Sequence, residues 1–213
     1  MNFNAFLLSV SKIEKVALPA QASQFKMSPP FREQLIEKYK ERMKDAKRAG
    51  VMALFYPDIK SETKLALILR KTYKGVHSAQ IGFPGGKVEP NDISLEATAL
   101  RETHEEIGVP TQQIEVLKQL TEVYIPPSNF YVQPYLGISK ATPEFVKQEE
   151  EVEAIVEVSL SHFMDDNVVI TSEVPTSYDR KVEVPAFELN GHIVWGATAM
   201  MLSEIKDLLK EVL

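Results

Sequence analysis

Apolar residues recur along this chain in two rhythms, and the switches between them outline its elements. Residues 3 to 14 carry apolar positions at helical spacing and predict a short amphipathic helix. The stretch ALPAQASQFKMSPPFR reads as an extended, proline-containing connection, and residues 31 to 49 read as a helix ending at Gly50. Val51 to Tyr56 and Leu65 to Arg70 are unbroken apolar runs, which predicts a pair of buried strands joined through Pro57-Asp58. Beyond residue 113 come apolar strands at Ile114 to Tyr124 and Phe130 to Ile138. The segment between them, Ile125-Pro126-Pro127-Ser128-Asn129, is a rigid turn suited to walling a pocket. A strand at Ala154 to Val158, a short helix at Ser159 to Met164 and strands at Val168 to Glu173 and Val182 to Leu189 follow, with Tyr178-Asp179-Arg180 as a turn. The end runs as a strand through Trp195-Gly196 into an amphipathic helix. Alternating strands and helices predict a layered α/β fold. We divide the chain into a helical extension at 1–50, packed on the main domain, and that domain at 51–213.

The chemistry concentrates in residues 83 to 109, FPGGKVEPNDISLEATALRETHEEIGV. The stretch before Gly108 predicts a helix, with Asp92 as its cap, Ala97, Leu100, His104 and Ile107 as an apolar stripe, and Gly108 as its end. Glu102, Glu105 and Glu106 then share one arc of its surface. Thr98 and Ala99 are expected on that same face, small enough for a ligand to approach. Like charges at these spacings repel by roughly a few tenths of a kcal/mol per pair on an exposed helix. A cation with hard oxygen ligands removes that cost, and Mg²⁺ suits carboxylates combined with substrate phosphate and water. Ahead of the helix, Pro84-Gly85-Gly86 is a tight turn that lets backbone approach a ligand closely.

Composition narrows the classes. The chain has 213 residues, 44% of them hydrophobic, enough for a sizeable core. Its net charge is −6, and its most basic run, KYKERMKDAKR, is interleaved with acids, which argues against nucleic acid as a partner. The absence of cysteine excludes disulfides and thiolate chemistry. The short apolar start predicts neither signal peptide nor membrane span, so a cytoplasmic protein is expected.

Arg101-Glu102, Glu105-Glu106, Gly108-Val109 and the leading Gly86 resemble the Nudix box, G(x5)E(x7)REUxEExGU with U aliphatic. Thr103 occupies an aliphatic slot, the interval from Gly86 to Arg101 is one residue longer, and Asp92 stands where the first Glu belongs. The resemblance implies a Nudix α/β/α sandwich, a mixed sheet between helices. It also implies a metal-dependent pyrophosphohydrolase. Glu102, Glu105, Glu106 and the Gly86 carbonyl would hold Mg²⁺ or Mn²⁺, and Arg101 would brace the carboxylates through Glu105. One Glu of the site, or Glu151, would take the proton of the attacking water.

The run before the box, with Arg70 and Phe83 to Gly86, resembles the coenzyme A pyrophosphatase branch, as does the tail IVWGATAMML. Gly75 replaces a second Arg of that branch and Ala79 a Gly. This implies coenzyme A or a derivative as substrate, bound by Arg70, Lys71, Phe83, Gly85 and Ser128 and cut to 3′,5′-ADP and a phosphopantetheine. Lys74 is a further candidate cation beside the turn. ADP-ribose, a dinucleotide, or a catalytically silent ligand-binding domain are the alternatives. The expected partner is a small nucleotide, with homodimer formation open and no membrane or nucleic acid involved.

Overall fold

The computed structural model describes residues 1–72, 79–175 and 181–213. Its framework is a sheet in which β1 (Lys47–Pro57) and β7 (Phe130–Ser139) run parallel at the centre. Strand β2 (Thr63–Arg70) lies antiparallel to β1, and β8 (Val152–Ser159) covers its outer edge. On the other side of β7 lie β5 (Ile114–Gln119) and β6 (Val123–Ile125). One parallel pair among antiparallel ones makes the sheet mixed.

Strands β1 and β2 pair only over Leu54–Pro57 with Thr63–Ala66, then part. Two short strands fill the gap: β3 (Ile81–Gly82) pairs with β2, and β4 (Gly85–Lys87) pairs with Ala49–Val51 of β1. The Phe83-Pro84 link between them is pinned where the Met52 N–H donates to the Pro84 carbonyl at 2.9 Å. The expected tight turn at Pro84-Gly85-Gly86 is therefore a bend at Pro84 alone, and Gly85 and Gly86 are strand residues in the middle of the sheet, held there by pairing with β1.

Helices cover both faces. Met52, Leu54 and Tyr56 point with Ala66 and Ile68 toward α4 (Leu95–Ile107), while Ala53, Phe55, Leu65 and Leu67 point the other way. That alternation within an all-apolar run is what a strand buried on both faces requires. The second face meets α1 (Phe3–Val10) and α6 (Gly196–Lys210). A small antiparallel sheet of β9 (Val169–Pro175), β10 (Lys181–Leu189) and β11 (His192–Trp195) adds Phe187, Leu189 and Val194 to the same core. The fold is thus the expected α/β/α sandwich. No helix among the described residues is long and apolar enough to cross a membrane.

Three further expected elements differ. Residues 17–32 are not extended throughout: α2 (Ala20–Gln24) and a 3₁₀ turn at Phe25–Met27 dock on α6. The Ser203 hydroxyl donates to the Ser23 carbonyl at 2.8 Å, and the Gln24 amide donates to Glu204 at 3.0 Å. The helix expected over 31–49 is α3 (Arg32–Lys38) followed by a 3₁₀ run at Lys40–Asp45, and residues 47 to 50 already belong to β1. There Lys47 to Gly50 pair with Phe130 to Gln133, and this tertiary ladder overrides the local helical pattern. Gly50 is not a helix end. A Cβ there would lie 2.2 Å from the Leu95 carbonyl oxygen, so its lack of a side chain lets α4 sit directly on β1. The strand expected over Ile114–Tyr124 is broken, because Glu204 accepts the Thr121 N–H at 3.3 Å and the Thr121 hydroxyl at 2.6 Å. The Tyr178-Asp179-Arg180 turn lies outside the described residues.

Candidate active site

Helix α4 starts two residues later than Asp92 suggested. Its cap is Ser94, whose side chain accepts from the Ala97 N–H at 3.0 Å, and it ends at Gly108 with φ 77°. The buried stripe is Thr98, Ala99, Thr103, Glu106 and Ile107, while His104 faces outward. Thr98 and Ala99 are small for close packing on β1, not for ligand access. Thr103 fills its aliphatic slot because its hydroxyl donates to the Ala99 carbonyl at 2.6 Å, leaving no unsatisfied polar atom against the sheet.

Asp92 anchors Arg101. Two parallel bonds of 2.9 Å join the Arg101 Nε and Nη2 to the two carboxylate oxygens of Asp92, and the Thr98 hydroxyl donates to the same group at 2.9 Å. The guanidinium holds the Asp92 carboxyl well below the usual carboxylate range. With its fork so fixed, Arg101 aims Nη1 at Glu102 (3.0 Å) and Glu105 (2.9 Å). The expected brace on Glu105 is present, but the bidentate partner is Asp92, displaced along the chain by the extra residue of the box.

The three glutamates have different surroundings. Glu105 is exposed. The Glu102 carboxylate lies directly over Gly86, where a Cβ would come within 2.4 Å of its carboxyl carbon. Glu106 is buried: the Gly85 N–H donates to it at 2.7 Å and Arg70 Nη1 lies 3.4 Å away. Burial pushes the Glu106 carboxyl up to about 7, against the lowering effects of Arg70 and Gly85, and it raises Glu102 as well. The charge of Glu151, which directly precedes β8, reaches both and raises them further. Glu102, Glu106 and Glu151 thus form one electrostatic group drawn from two separated segments.

A cavity of about 440 Å³ opens at the same Gly85-Gly86 segment. Phe83, Arg70 and Ser128 line it as expected, and Ile125 to Pro127 form part of its wall. Lys71 does not line it; its ammonium pairs with Glu153 at 3.1 Å. Lys74 and Gly75 lie outside the described residues. Ala79, standing where a glycine was expected, takes φ 54°, the left-handed region that glycine favours. Three contributors are not foreseen from the sequence. Arg32 sits in a segment with a plain helical pattern, and Trp195 and Thr198 sit in the tail, where only the family likeness pointed to function. Nothing in the local pattern of residues 29 to 35 signals a cavity wall.

Among the described residues, no three acidic side chains converge at ligand distance on one point. Each carboxylate is instead turned toward a cation or an amide. The donor set still fits a hard divalent cation, since burial and neighbouring acids raise the affinity of Glu102 and Glu106 for positive charge beside the Gly85-Gly86 backbone. Rotation of Glu102 and Glu105 away from Arg101 would free their oxygens.

The NUDIX domain family profile matches residues 46–173. The chain is 32% identical over 155 residues to a protein of Enterobacter sp. (strain 638) named as an uncharacterized Nudix hydrolase, NudL, covering 72% of this chain and 79% of that one. It is 30% identical over 145 residues to the protein of the same name from Yersinia pestis (strain Pestoides F), covering 68% and 71%. In fold it resembles the crystal structure of a MutT/nudix family protein from Enterococcus faecalis. The TM-score is 0.52 at 19% identity, over 78% of this chain and 62% of that one.

Proposed function

The chain belongs to the NUDIX domain family, and on that premise we propose that it hydrolyses the pyrophosphate bond of coenzyme A or a derivative, giving 3′,5′-ADP and a phosphopantetheine. One observation carries the reading. The glutamates of α4 and the roomy cavity meet at one pair of glycines, so a pyrophosphate laid on Gly85-Gly86 has both the acids and space for a long arm beside it. What favours coenzyme A within the family is that both stretches resembling that branch reach the same cavity, the first through Phe83, Gly85 and Gly86 and the tail IVWGATAMML through Trp195 and Thr198.

In this reading Glu102, Glu105 and Glu106 hold Mg²⁺ or Mn²⁺, with the Gly86 carbonyl assisting. A bound divalent ion supplies charge neutralisation at the phosphoryl oxygens and a lowered pKa for water. Arg101, locked by Asp92, keeps Glu102 and Glu105 in register for that task. Arg70 compensates the buried charge of Glu106 at 3.4 Å. Glu151 is exposed and near enough to couple with Glu102 and Glu106, and it accepts the proton of the attacking water. The oxygen of that water joins one phosphorus as the bond from that same phosphorus to the bridging oxygen breaks, and the bridging oxygen leaves with the other phosphoryl group. Phe83 and Ser128 wall the bound nucleotide.

A panel of coenzyme A, dephospho-coenzyme A, ADP-ribose and dinucleoside polyphosphates, assayed with Mg²⁺ and with Mn²⁺ and read by mass spectrometry, tests the reading. Coenzyme A should show the highest kcat/KM and yield 3′,5′-ADP. A higher kcat/KM for ADP-ribose or a dinucleotide overturns the substrate assignment.

A further inference from the structure

A substrate that carries a phosphate beyond its pyrophosphate needs a cation that the hydrolytic acids have not already claimed. Arg70 faces Glu106, and Lys71 faces Glu153. Arg32 is different. It lines the cavity beside the apolar Pro29, Phe31 and Leu35 of the same segment. Its Nη2 donates to the Tyr124 carbonyl at 2.7 Å, a bond that fixes the direction of the guanidinium plane. Its Nε is buried with no hydrogen-bond partner, and no carboxylate pairs with it among the described residues. Burial lowers its affinity for the proton, as expected for a cation stripped of water and given no counter-ion. A guanidinium held this way without a counter-ion is costly to the fold, and an anion at its Nη end offsets the cost of the buried charge.

We propose that Arg32 binds a phosphate monoester of the substrate, so that the N-terminal segment, not Arg70, reads the group distinguishing a 3′-phosphorylated nucleotide from one lacking it. Nε is enclosed and one Nη2 hydrogen is held by Tyr124, which leaves Nη1 and the second Nη2 hydrogen as the pair that matches two oxygens of a phosphate, with the apolar wall strengthening the contact by excluding water. The first turn of α6, whose start lacks a side-chain cap, borders the same cavity and adds positive potential; the assignment stands on Arg32 without it. This inference rests on the pyrophosphohydrolase reading above for its substrate.

Arg32→Ala should raise KM for coenzyme A tenfold or more, with kcat within about twofold, and leave both constants for dephospho-coenzyme A within about twofold. Arg32→Lys, which keeps the charge but loses the fork, should recover part of the loss. Arg32→Met retains the apolar stem and is read in the same way should the alanine variant fail to fold. Equal penalties on both substrates, or none on either, overturn the assignment. Calorimetric titration separates this inference from the choice of substrate. Binding of 3′,5′-ADP should weaken tenfold or more in Arg32→Ala, while binding of 5′-AMP stays unchanged. That contrast stands even if wild type fails to cleave coenzyme A, in which case only the proposed function falls. Unaltered 3′,5′-ADP binding in the variant rejects Arg32 as the phosphate reader.

Discussion

Glu106→Gln should make the metal-free protein more stable and the enzyme inactive, and the stability gain should depend on pH. The carboxyl is buried, and its pKa stands at about 7 against an ordinary value of 4.5. The folded state therefore holds the proton more tightly than the unfolded chain. Its contribution to stability is fully present below about pH 4.5 and is lost as pH rises through 7. Each tenfold difference in proton affinity between folded and unfolded states is worth about 1.4 kcal/mol. The charged form therefore costs roughly 3 kcal/mol at pH 8, with the attraction of Arg70 already included. A glutamine keeps an acceptor for the Gly85 N–H and carries no charge to bury. Thermal melts of metal-free wild type and variant should differ by about 5–10 °C at pH 8 and coincide near pH 4.5. Adding Mg²⁺ or Mn²⁺ at pH 8 should stabilise wild type more than the variant. A difference that is the same at both pH values, or a variant less stable at pH 8, refutes the argument that burial of the charge dominates at this position.

Gly86→Ala places a methyl 2.4 Å from the Glu102 carboxyl carbon, which a flexible side-chain end can escape. Stability should change by less than about 1 kcal/mol while activity falls about tenfold or more, measured by denaturant melts and steady-state kinetics. Gly50→Ala meets backbone instead, the Leu95 carbonyl oxygen at 2.2 Å and the Ala99 nitrogen at 3.0 Å, and should cost about 3 kcal/mol in a urea melt. Glu151→Gln should lower kcat by roughly 10²–10⁴ with metal affinity nearly kept; an unchanged rate together with unchanged metal affinity makes Glu151 part of an acidic turn. Glu105→Gln should cut activity more than about tenfold, a barrier change above ~1.4 kcal/mol, and a smaller loss removes Glu105 as a ligand. Stability should move by under about 0.5 kcal/mol, since its pair with Arg101 is half exposed.

Local information was enough for much of this protein. The all-apolar runs of β1 and β2 announced strands buried on both faces, and Gly108 announced the end of α4. The spacing of Arg101, Glu102, Glu105 and Glu106 placed four charged groups on one helix before any contact was known. Each of these follows from the period of a strand or a helix, which neighbouring residues set among themselves. Tertiary structure decided what depends on residues far apart in the chain. Lys47 to Gly50 look helical beside Lys44 and Asp45, yet they pair with β7 about eighty positions away. Gly50 is glycine for the sake of Leu95, and Thr121 leaves its strand for Glu204. The same holds at the site. Spacing showed that Glu102, Glu105 and Glu106 are neighbours, but only packing buried Glu106, exposed Glu105 and laid Glu102 over Gly86. Burial sets the cost of a charge, and burial is a property of the whole fold, which is why nothing in the sequence set Arg32 apart before the cavity around it was seen.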